Sequence, residues 1–359
     1  MTLRRVEVDV SPAYTVHIGV GALKLARAAF ASERPRVLIS DARVHGLHGR
    51  TLDPDGEART LLLPEGEDAK DFAHLGAAVE FIAGASMDRR GCVWTLGGGA
   101  ISDVGGLAAA MFMRGVAAVH CPTTLLAQVD ASVGGKTAVN LSAGKNLAGV
   151  FHQPRAVYAD TGVLATQSDD EFRSGLGEAL KTALIAGEEL LGLLEREVVR
   201  LRSRDEGLLC EVVAACVRTK ARVVAADPLE AGGRKALNLG HTFAHAIEQV
   251  AGFGKVPHGV AVAVGLGLAL RASREMGCLE DRALPARVER LLASLGLPPD
   301  LASLRRSTGA PLGARELVRA MGQDKKNRSG EIRLVLPRAA GKLELEVAVD
   351  GALLESWLP

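Results

Sequence analysis

The first half of the chain alternates short apolar runs with helical patterns, and this alternation limits the folds open to it. Patterns typical of strands and of helices follow one another in the order 37–40, 61–63, 68–83, 92–96, 102–113 and 116–121. Strands that are apolar throughout are buried on both faces, and strands that alternate with helices are typical of a parallel sheet covered by helices. The sequence therefore predicts a Rossmann-like α/β fold for this half.

The second half has a different pattern, because long helices replace the strands. Apolar residues recur at helical spacing over 169–186, 188–202, 207–226, 237–250 and 260–276, and two strand patterns follow at 331–336 and 343–349. The predicted class is α/β plus α, with one domain over 1–165 and a mainly helical domain over 166–359. A chain of 359 residues is long enough for two domains.

The composition excludes several functional classes. The formal net charge of +1 and the lack of a basic cluster argue against a nucleic-acid partner. No apolar run is long enough to span a membrane, and we predict neither a signal peptide nor a membrane partner. The five cysteines include no C-x-x-C pair, which indicates buried thiols in a reducing cytoplasm rather than disulfides or a cysteine zinc site.

Three loops at predicted strand ends have the composition of a phosphate-binding edge. The loop 97–103 follows a strand and opens a helix, while 66–70 and 122–124 follow other strands. Glycines at such a turn let backbone N–H groups approach a phosphate at the helix N-terminus. The 97–103 loop lacks the G-x-G-x-x-G spacing, so by itself it fits a tight structural turn equally well. Three such loops at equivalent sheet ends favour a cofactor site.

A glycine-rich segment at 130–146 contains Lys136, Lys145 and Asn146. Its Gly-Gly-Lys-Thr sequence is similar to the end of a P-loop, but Asp130 stands where that motif requires glycine, which argues against a nucleotide triphosphatase. Taken alone, the segment is best interpreted as a surface loop with solvated lysines; the alternative is a mobile loop whose two lysines and asparagine bind a phosphate or a carboxylate.

The run 232–248 carries Arg234, Asn238, His241 and His245 at steps of four, three and four residues. On an α-helix these steps bring side chains to one face, which predicts a helical stripe that lines an active site. Two imidazoles four residues apart suggest a metal. A zinc protease is disfavoured, however, because the residue after His241 is threonine and not the glutamate of H-E-x-x-H.

Candidates for further metal ligands lie elsewhere in the chain. Two or three histidines, including His258, together with a carboxylate such as Glu178 would leave an open position, as catalytic zinc requires. Glu178 also lies three residues before Lys181, in apolar surroundings that argue against an ordinary surface ion pair. A core histidine satisfied by hydrogen bonds is the alternative for any one of these imidazoles.

A series of short motifs runs in order from about residue 60 to residue 335. The motifs are Pro64-Glu-Gly-Glu67 with Lys70, Leu96-Gly-Gly-Gly99 with Asp103, Met113-Arg-Gly115, Pro122-Thr-Thr-Leu-Leu126, Val129-Asp130 with Gly134-Gly-Lys-Thr137, Gly144-Lys-Asn146, Gly177-Glu178 with Lys181, Arg234 with Leu237-Asn238 and Gly240-His-Thr242, His258-Gly259, and Asp324-Lys-Lys326. In order and spacing they closely resemble the 3-dehydroquinate synthase family, of the sugar-phosphate cyclase group. One departure is that Ala100 and Ser102 replace the family's common valine and second glycine, and we expect Ser102 to cap the helix.

The resemblance implies an N-terminal NAD-binding domain, a C-terminal metal domain and a homodimer. It implies conversion of 3-deoxy-D-arabino-heptulosonate 7-phosphate, a phosphorylated sugar acid, to 3-dehydroquinate and phosphate in the shikimate pathway. The implied steps are transient oxidation by NAD, elimination of phosphate, re-reduction and intramolecular aldol closure. NAD and zinc (or cobalt) are the implied cofactors, with Glu178, His241 and His258 as the metal ligands.

The same resemblance implies the roles of the other site residues. Catalytic roles fall to Lys136, Asn146, Lys181, His245 and Arg114, of which Arg114 is expected to reach the neighbouring subunit's site. Substrate-binding roles fall to Asp130, Lys220, Arg234, Asn238 and one lysine of the pair Lys325 and Lys326. NAD-binding roles fall to Asp41, Glu65, Gly66, Glu67, Asp68, Ala69, Lys70, Gly98, Gly99, Ala100, Ile101, Ser102, Asp103, Thr123, Thr124, Lys136, Lys145, Val163, Leu164, Ala165 and Thr166.

Two other functions compete with this interpretation. A metal-dependent, NAD-linked polyol dehydrogenase of the glycerol dehydrogenase type has the same architecture, but it would accumulate NADH. A dense cationic set argues instead for a phosphorylated and carboxylated substrate; its members are Lys136, Lys145, Lys181, Lys220 and Arg234. A non-catalytic binding protein on the same fold is the alternative from another class, and the retained ligand and site residues argue against it.

Overall fold

The computed structural model describes residues 3–322 and 331–358. Its strands are β1 Arg4–Val8, β2 Tyr14–Ile18, β3 Val37–Asp41, β4 Arg59–Leu63, β5 Cys92–Gly97, β6 Ala117–Pro122, β7 Lys136–Leu141, β8 Gly144–Phe151, β9 Ala156–Ala159, β10 Ile332–Ala339 and β11 Lys342–Val349. Its α-helices are α1 Ala22–Ala31, α2 Ala42–Val44, α3 Arg50–Leu52, α4 Phe72–Gly84, α5 Gly99–Met111, α6 Asp169–Ala186, α7 Glu188–Arg196, α8 Val198–Arg202, α9 Glu206–Ala226, α10 His241–Ala251, α11 His258–Glu275, α12 Leu284–Ser294, α13 Leu301–Thr308, α14 Ala314–Gly322 and α15 Gly351–Trp357.

Contacts define two compact units, Met1–Ser168 with Glu206–Leu229, and Asp169–Asp205 with Glu230–Pro359. Helix α9 groups with the first unit, because it packs on β1 and β2, whereas the predicted boundary after residue 165 groups it with the helical half. That domain boundary stays a prediction.

The first unit is built on a seven-stranded sheet in the order β1-β2-β9-β6-β5-β3-β4. All neighbouring strands pair in parallel except β1, which adds to β2 as an antiparallel edge. Strands β3 and β5 are buried along their whole length, as their continuous apolar sequences predict. The predicted parallel-sheet fold is therefore confirmed.

Helices cover this sheet on both faces. Val93 and Trp94 are consecutive in β5 and point to opposite faces of the sheet. Val93 joins Ile82 of α4 and Val104 of α5 in one apolar cluster, and Trp94 joins Phe30 of α1 in another. The Phe30 and Trp94 rings meet edge to face, with 5.1 Å between their centroids.

Several helices begin or end at residues other than the predicted ones. The helix predicted from residue 68 begins only at Phe72, since the Asp71 side chain accepts a hydrogen bond from the His74 N–H at 2.7 Å and caps it. A 3-10 turn, Gly66–Ala69, precedes it. The helix predicted over 188–202 is divided into α7 and α8 at Glu197.

The second unit is mainly helical, as predicted. Helix α11 packs against α6 and α10, and α14 packs on α10. Strands β10 and β11 form an antiparallel hairpin whose first strand packs on α11. Within the described ranges, no helix of either unit combines the length and apolar character needed to cross a membrane.

A buried histidine in the sheet of the first unit predicts acid sensitivity. His120 lies on β6 with Nδ1 2.8 Å from Thr95 Oγ1. Burial and the nearby His152 lower the pKa of His120 from 6.5 to about 4. Below pH ~6.5 the unfolded chain takes up a proton that the folded sheet excludes, so the free energy of unfolding should fall by roughly 3 kcal/mol between pH ~6.5 and ~4.

Urea unfolding at a series of pH values measures this loss. Since the chain has two tryptophans, a Trp357→Phe background leaves Trp94 as the fluorescent reporter of the first unit. In that background His120→Gln should remove most of the pH dependence. An equally steep loss of stability in the glutamine variant would show that other groups cause it.

Candidate metal centre and nucleotide loops

Three side chains of the second unit converge as a candidate metal centre. Glu178 lies on α6, and His241 and His258 are the first residues of α10 and α11. One ligand atom from each lies within 4.8 Å of the others. The Glu178 carboxylate is 3.2 Å from His258 Nε2 and 3.6 Å from His241 Nε2. Two imidazoles and one carboxylate are a ligand set found in catalytic zinc sites. Such sites keep a further coordination position for water or substrate.

The surroundings of these ligands favour positive charge. Burial opposes protonation of His258, but the Glu248 and Glu178 carboxylates outweigh it and raise the pKa of His258 to about 10. Glu178 is fully buried and pairs with Lys181 Nζ at 2.7 Å. A carboxylate buried this deeply needs cationic partners, and a divalent ion brings more positive charge than a proton. The donor set and its charge therefore fit zinc or cobalt.

A glycine precedes or follows each of the three ligands and lets the helices approach closely. A Cβ atom on Gly177 would overlap the Gly259 carbonyl, and one on Gly259 would overlap the Ser174 carbonyl, so α6 and α11 touch through backbone atoms. A Cβ atom on Gly265 of α11 would likewise overlap the carbonyl of Gly240, which directly precedes α10. These backbone contacts hold the ligand-bearing helices together.

Gly259→Ala is expected to push α11 away from α6 and to weaken both the fold and the metal centre. Overpacking of this kind costs about 1–3 kcal/mol, and the displacement of His258 should weaken zinc binding at least about tenfold. Urea unfolding and zinc content after dialysis measure the two effects. Gly76→Ala is the matched control, because a Cβ atom at this exposed α4 position meets open space. A Gly259→Ala protein as stable as wild type would contradict the close approach.

The predicted stripe of site residues is not one helix. Arg234 and Asn238 lie in the 3-10 segment Gly233–Asn238, and α10 begins only at His241, after Gly240 adopts a φ of 76°. The prediction of a single helical face was wrong, because a left-handed glycine redirects the chain between the two pairs.

His245 lies near the three candidate ligands without belonging to that group. Its ring centroid is 5.6 Å from that of His241 and 6.2 Å from that of His258.

Glu230 forms a hydrogen bond with a predicted substrate-binding residue of the 3-10 segment: Asn238 Nδ2 donates to Glu230 Oε1 at 2.7 Å. Glu230 was not a predicted site residue. Its φ of 60° is the signal that the structure adds, since such strained backbone clusters at functional sites.

The predicted NAD-binding residues mostly follow the carboxyl ends of parallel strands in the first unit. Asp41 ends β3, 65–70 follow β4, 98–103 follow β5, 123–124 follow β6, and 163–166 follow β9. Open α/β sheets bind ligands at this edge. The structure therefore brings these separate segments of the sequence to the same edge of the sheet, at the carboxyl ends of its parallel strands.

The turn after β5 differs in one detail from the prediction. Helix α5 begins at Gly99 with Gly98 as its N-cap residue, so Ser102 lies inside the helix and its predicted capping role was wrong. The Ser102 hydroxyl donates instead to the Gly98 carbonyl at 3.4 Å. A Cβ atom on Gly98 would lie 3.2 Å from the Thr124 side chain, so glycine keeps this turn close to the loop after β6.

Residues 136–151 form the antiparallel hairpin β7–β8 rather than the predicted loop. Asn140, which is not among the predicted site residues, attaches this hairpin to the 66–70 loop. Its N–H donates to the Lys70 carbonyl and its Nδ2 to Glu67 Oε2, both at 2.8 Å, and its Oδ1 accepts from the Asn146 N–H at 2.9 Å. Two of these hydrogen bonds join residues that are far apart in the sequence, and the three together order the segment.

Lys70 connects three predicted site segments of the first unit. Its Nζ lies 2.5 Å from Asp103 Oδ2 and 2.6 Å from Asn146 Oδ1. Burial raises the pKa of Asp103, and the Lys70 ammonium opposes that shift. Lys145 Nζ lies 4.0 Å from the Glu67 carboxylate. The 66–70 loop, the start of α5 and the hairpin therefore form one polar cluster.

Two predicted substrate-binding residues of the first unit contact each other. Lys220 on α9 forms an ion pair with Asp130, and its Nζ also donates to the Asp130 carbonyl at 2.6 Å.

The remaining predicted site residues lie at separate positions. Lys136 is the exposed first residue of β7. Arg114 follows α5 and has a φ of 66°. Lys325 and Lys326 lie outside the described residues.

Comparison with known proteins decides the family. Residues 60–174 match the family model described as 3-dehydroquinate synthase N-terminal, and residues 175–327 match the one described as 3-dehydroquinate synthase C-terminal. The chain belongs to the 3-dehydroquinate synthase family. A 3-dehydroquinate synthase of Paracoccus denitrificans is 42% identical and covers 100% of this chain and 99% of its own length. One of Xylella fastidiosa is 40% identical and covers 99% and 98%.

Solved structures agree with this membership of the 3-dehydroquinate synthase family. A 2-epi-5-epi-valiolone synthase from Streptomyces hygroscopicus, with NAD+ and Zn2+ bound, superimposes with a TM-score of 0.86 at 27% identity over 99% of this chain and 97% of that one. A probable glycerol dehydrogenase from Sinorhizobium meliloti superimposes with a TM-score of 0.65 at 19% identity, over 94% of this chain and 93% of that one. At this low identity the similarity shows a shared fold and nothing about function. The predicted family and fold are confirmed, and the polyol dehydrogenase alternative is not favoured.

Proposed function

We propose that this chain is a 3-dehydroquinate synthase that uses NAD and a divalent metal, zinc or cobalt. It would convert 3-deoxy-D-arabino-heptulosonate 7-phosphate to 3-dehydroquinate and phosphate in the shikimate pathway. The observation that carries the proposal is the convergence of Glu178, His241 and His258 in a chain of this family.

The residues present suit both cofactors. Glu178, His241 and His258 would hold the metal, and the segments at the carboxyl edge of the sheet would hold NAD together with Lys136 and Lys145. When bound, NAD accepts and later returns a hydride, and the metal polarises the hydroxyl that is oxidised.

The side chains of the site would bind and orient one flexible substrate through several steps. We assign the phosphate to Lys136, Asn146, Lys181, His245 and Arg114. A phosphate held in one geometry can use its own oxygen to take the proton next to the transient ketone, so that no further protein base is required.

The carboxylate and hydroxyls of the substrate require a second set of contacts. We assign them to Asp130, Lys220, Arg234, Asn238 and one lysine of the pair Lys325 and Lys326. The planar guanidinium of Arg234 can bind a carboxylate with two parallel hydrogen bonds. Glu230, which pairs with Asn238, would fix the orientation of that amide.

We further propose a homodimer in the cytoplasm. Met111 and Met113 closely precede Arg114 in the chain and have exposed apolar side chains. A second copy of the chain would cover them while Arg114 contacts that copy's site. All five cysteines are free thiols: Cys92, Cys121 and Cys216 are buried as predicted, whereas Cys210 and Cys278 are only partly buried. Free thiols suit a reducing compartment.

Following phosphate and NADH together tests the proposed reaction. With the heptulosonate phosphate and a catalytic amount of NAD, we expect many equivalents of phosphate per NAD and no accumulation of NADH, because the hydride returns in each turnover. NADH that accumulates in proportion to substrate, with no phosphate released, would instead identify a dehydrogenase.

A further inference from the structure

A second carboxylate lies behind one of the candidate metal ligands. Glu248 on α10 is only 1% exposed, and its Oε2 lies 3.1 Å from His258 Nδ1. The other ring nitrogen of His258, Nε2, lies 3.2 Å from Glu178 Oε1. The imidazole therefore lies between two carboxylates on two different helices.

This arrangement selects one tautomer of His258. A neutral imidazole carries its proton on one nitrogen only, and a metal ligand must offer the lone pair of the other. An ionised carboxylate accepts hydrogen bonds but cannot donate them. When a metal replaces the proton on Nε2, Glu248 therefore accepts from Nδ1–H of His258, and the lone pair of Nε2 is free to bind that metal.

The position of Glu248 on its helix explains how it reaches His258. His241, His245 and Glu248 are spaced by four and three residues on α10, so they share one face of that helix. The chain thus supplies a metal ligand, a second histidine and a supporting carboxylate from one short helix. Burying a carboxylate is costly unless it is hydrogen-bonded, and the bond to His258 supplies such a partner.

We propose that Glu248 is a positioning residue that orients His258 and sets the affinity of the metal centre. The inference rests on the proposed metal centre and adds to it a residue that touches neither metal nor substrate. A carboxylate in this place also increases the electron density that the imidazole offers to a metal, and removal of such partners weakens metal binding about 10- to 100-fold.

Zinc affinity, measured by competition with a chelating dye in the absence of NAD and substrate, tests the proposal. Glu248→Gln keeps the size of the side chain but removes its charge, and we expect zinc to bind about 10- to 100-fold more weakly. The visible spectrum of the cobalt-loaded variant should also change, because the orientation of His258 is altered. Glu275→Gln, at an exposed position of α11, is the matched control and should leave both unchanged.

The outcomes separate this proposal from the proposed function. Wild-type zinc affinity and an unchanged cobalt spectrum in folded Glu248→Gln would overturn the role of Glu248 and leave the metal centre intact. A wild-type protein that binds neither zinc nor cobalt would overturn both. If Glu248→Gln does not fold, Glu248→Asp takes its place: it keeps the charge but moves it away from Nδ1, so we expect intermediate zinc affinity. Wild-type affinity and spectrum in the aspartate variant would count against the proposal.

Discussion

His241→Ala is expected to lose its metal and nearly all turnover while the protein stays folded. Two remaining ligands, Glu178 and His258, are too few for a catalytic zinc site, so bound zinc should fall from about one ion per chain to a small fraction of that. Lewis-acid assistance is worth several kcal/mol, and each ~1.4 kcal/mol is tenfold in rate. Phosphate release should therefore fall about 1,000-fold or more.

Zinc content after dialysis and the initial rate of phosphate release measure this result. Circular dichroism and urea unfolding show whether the variant is folded. His241→Ala with one tightly bound zinc per chain would mean that the ligand set is wrong.

His245→Ala is expected to keep its metal and still lose the elimination of phosphate. The imidazole lies one helical turn from His241 on α10, and its ring centroid is 5.6 Å from that of His241, but it is not one of the three converging ligands. Loss of a group that holds a reacting phosphate in its productive geometry slows a reaction about 100-fold or more. We expect a loss in that range with zinc content equal to wild type.

Each variant is the matched control for the other, because both replace a histidine by alanine on the same helix, one turn apart. We expect zinc content to fall in His241→Ala and to stay at the wild-type level in His245→Ala, whereas phosphate release should fall in both. If His245→Ala loses zinc in proportion to activity, the division between metal ligand and substrate-binding residue is wrong.

Much of the first unit could be predicted because its signals are local. Continuous apolar runs such as 92–96 are buried strands in the structure, and their alternation with helices gave the parallel sheet. Helix ends were less predictable, because a side-chain bond such as that of Asp71 to His74 decides where a helix begins.

The site was harder to predict where contacts join distant parts of the chain. Spacing alone grouped Arg234, Asn238, His241 and His245, but it could not show that Gly240 turns the chain between the two pairs. Ordered motifs were the better guide: they implied Glu178 and His258 as the partners of His241, which the structure brings together. Spacing in sequence could not have joined them, since they lie on three helices.

The residues that support the site could not be predicted, for the same reason. Asn140 and Glu248 are ordinary members of a strand and a helix by sequence. Their contacts with the 66–70 loop and with His258 exist only in the folded chain. The glycine pairs between α6, α10 and α11 are likewise visible only once the helices are packed.

The most direct test of the central claim is the metal dependence of the wild-type protein. After chelation and dialysis we expect no phosphate release from the heptulosonate phosphate and NAD. Titration with zinc or cobalt should restore it, with a break at about one ion per chain, as one three-ligand centre requires. Full activity in protein shown to be free of metal would contradict the account.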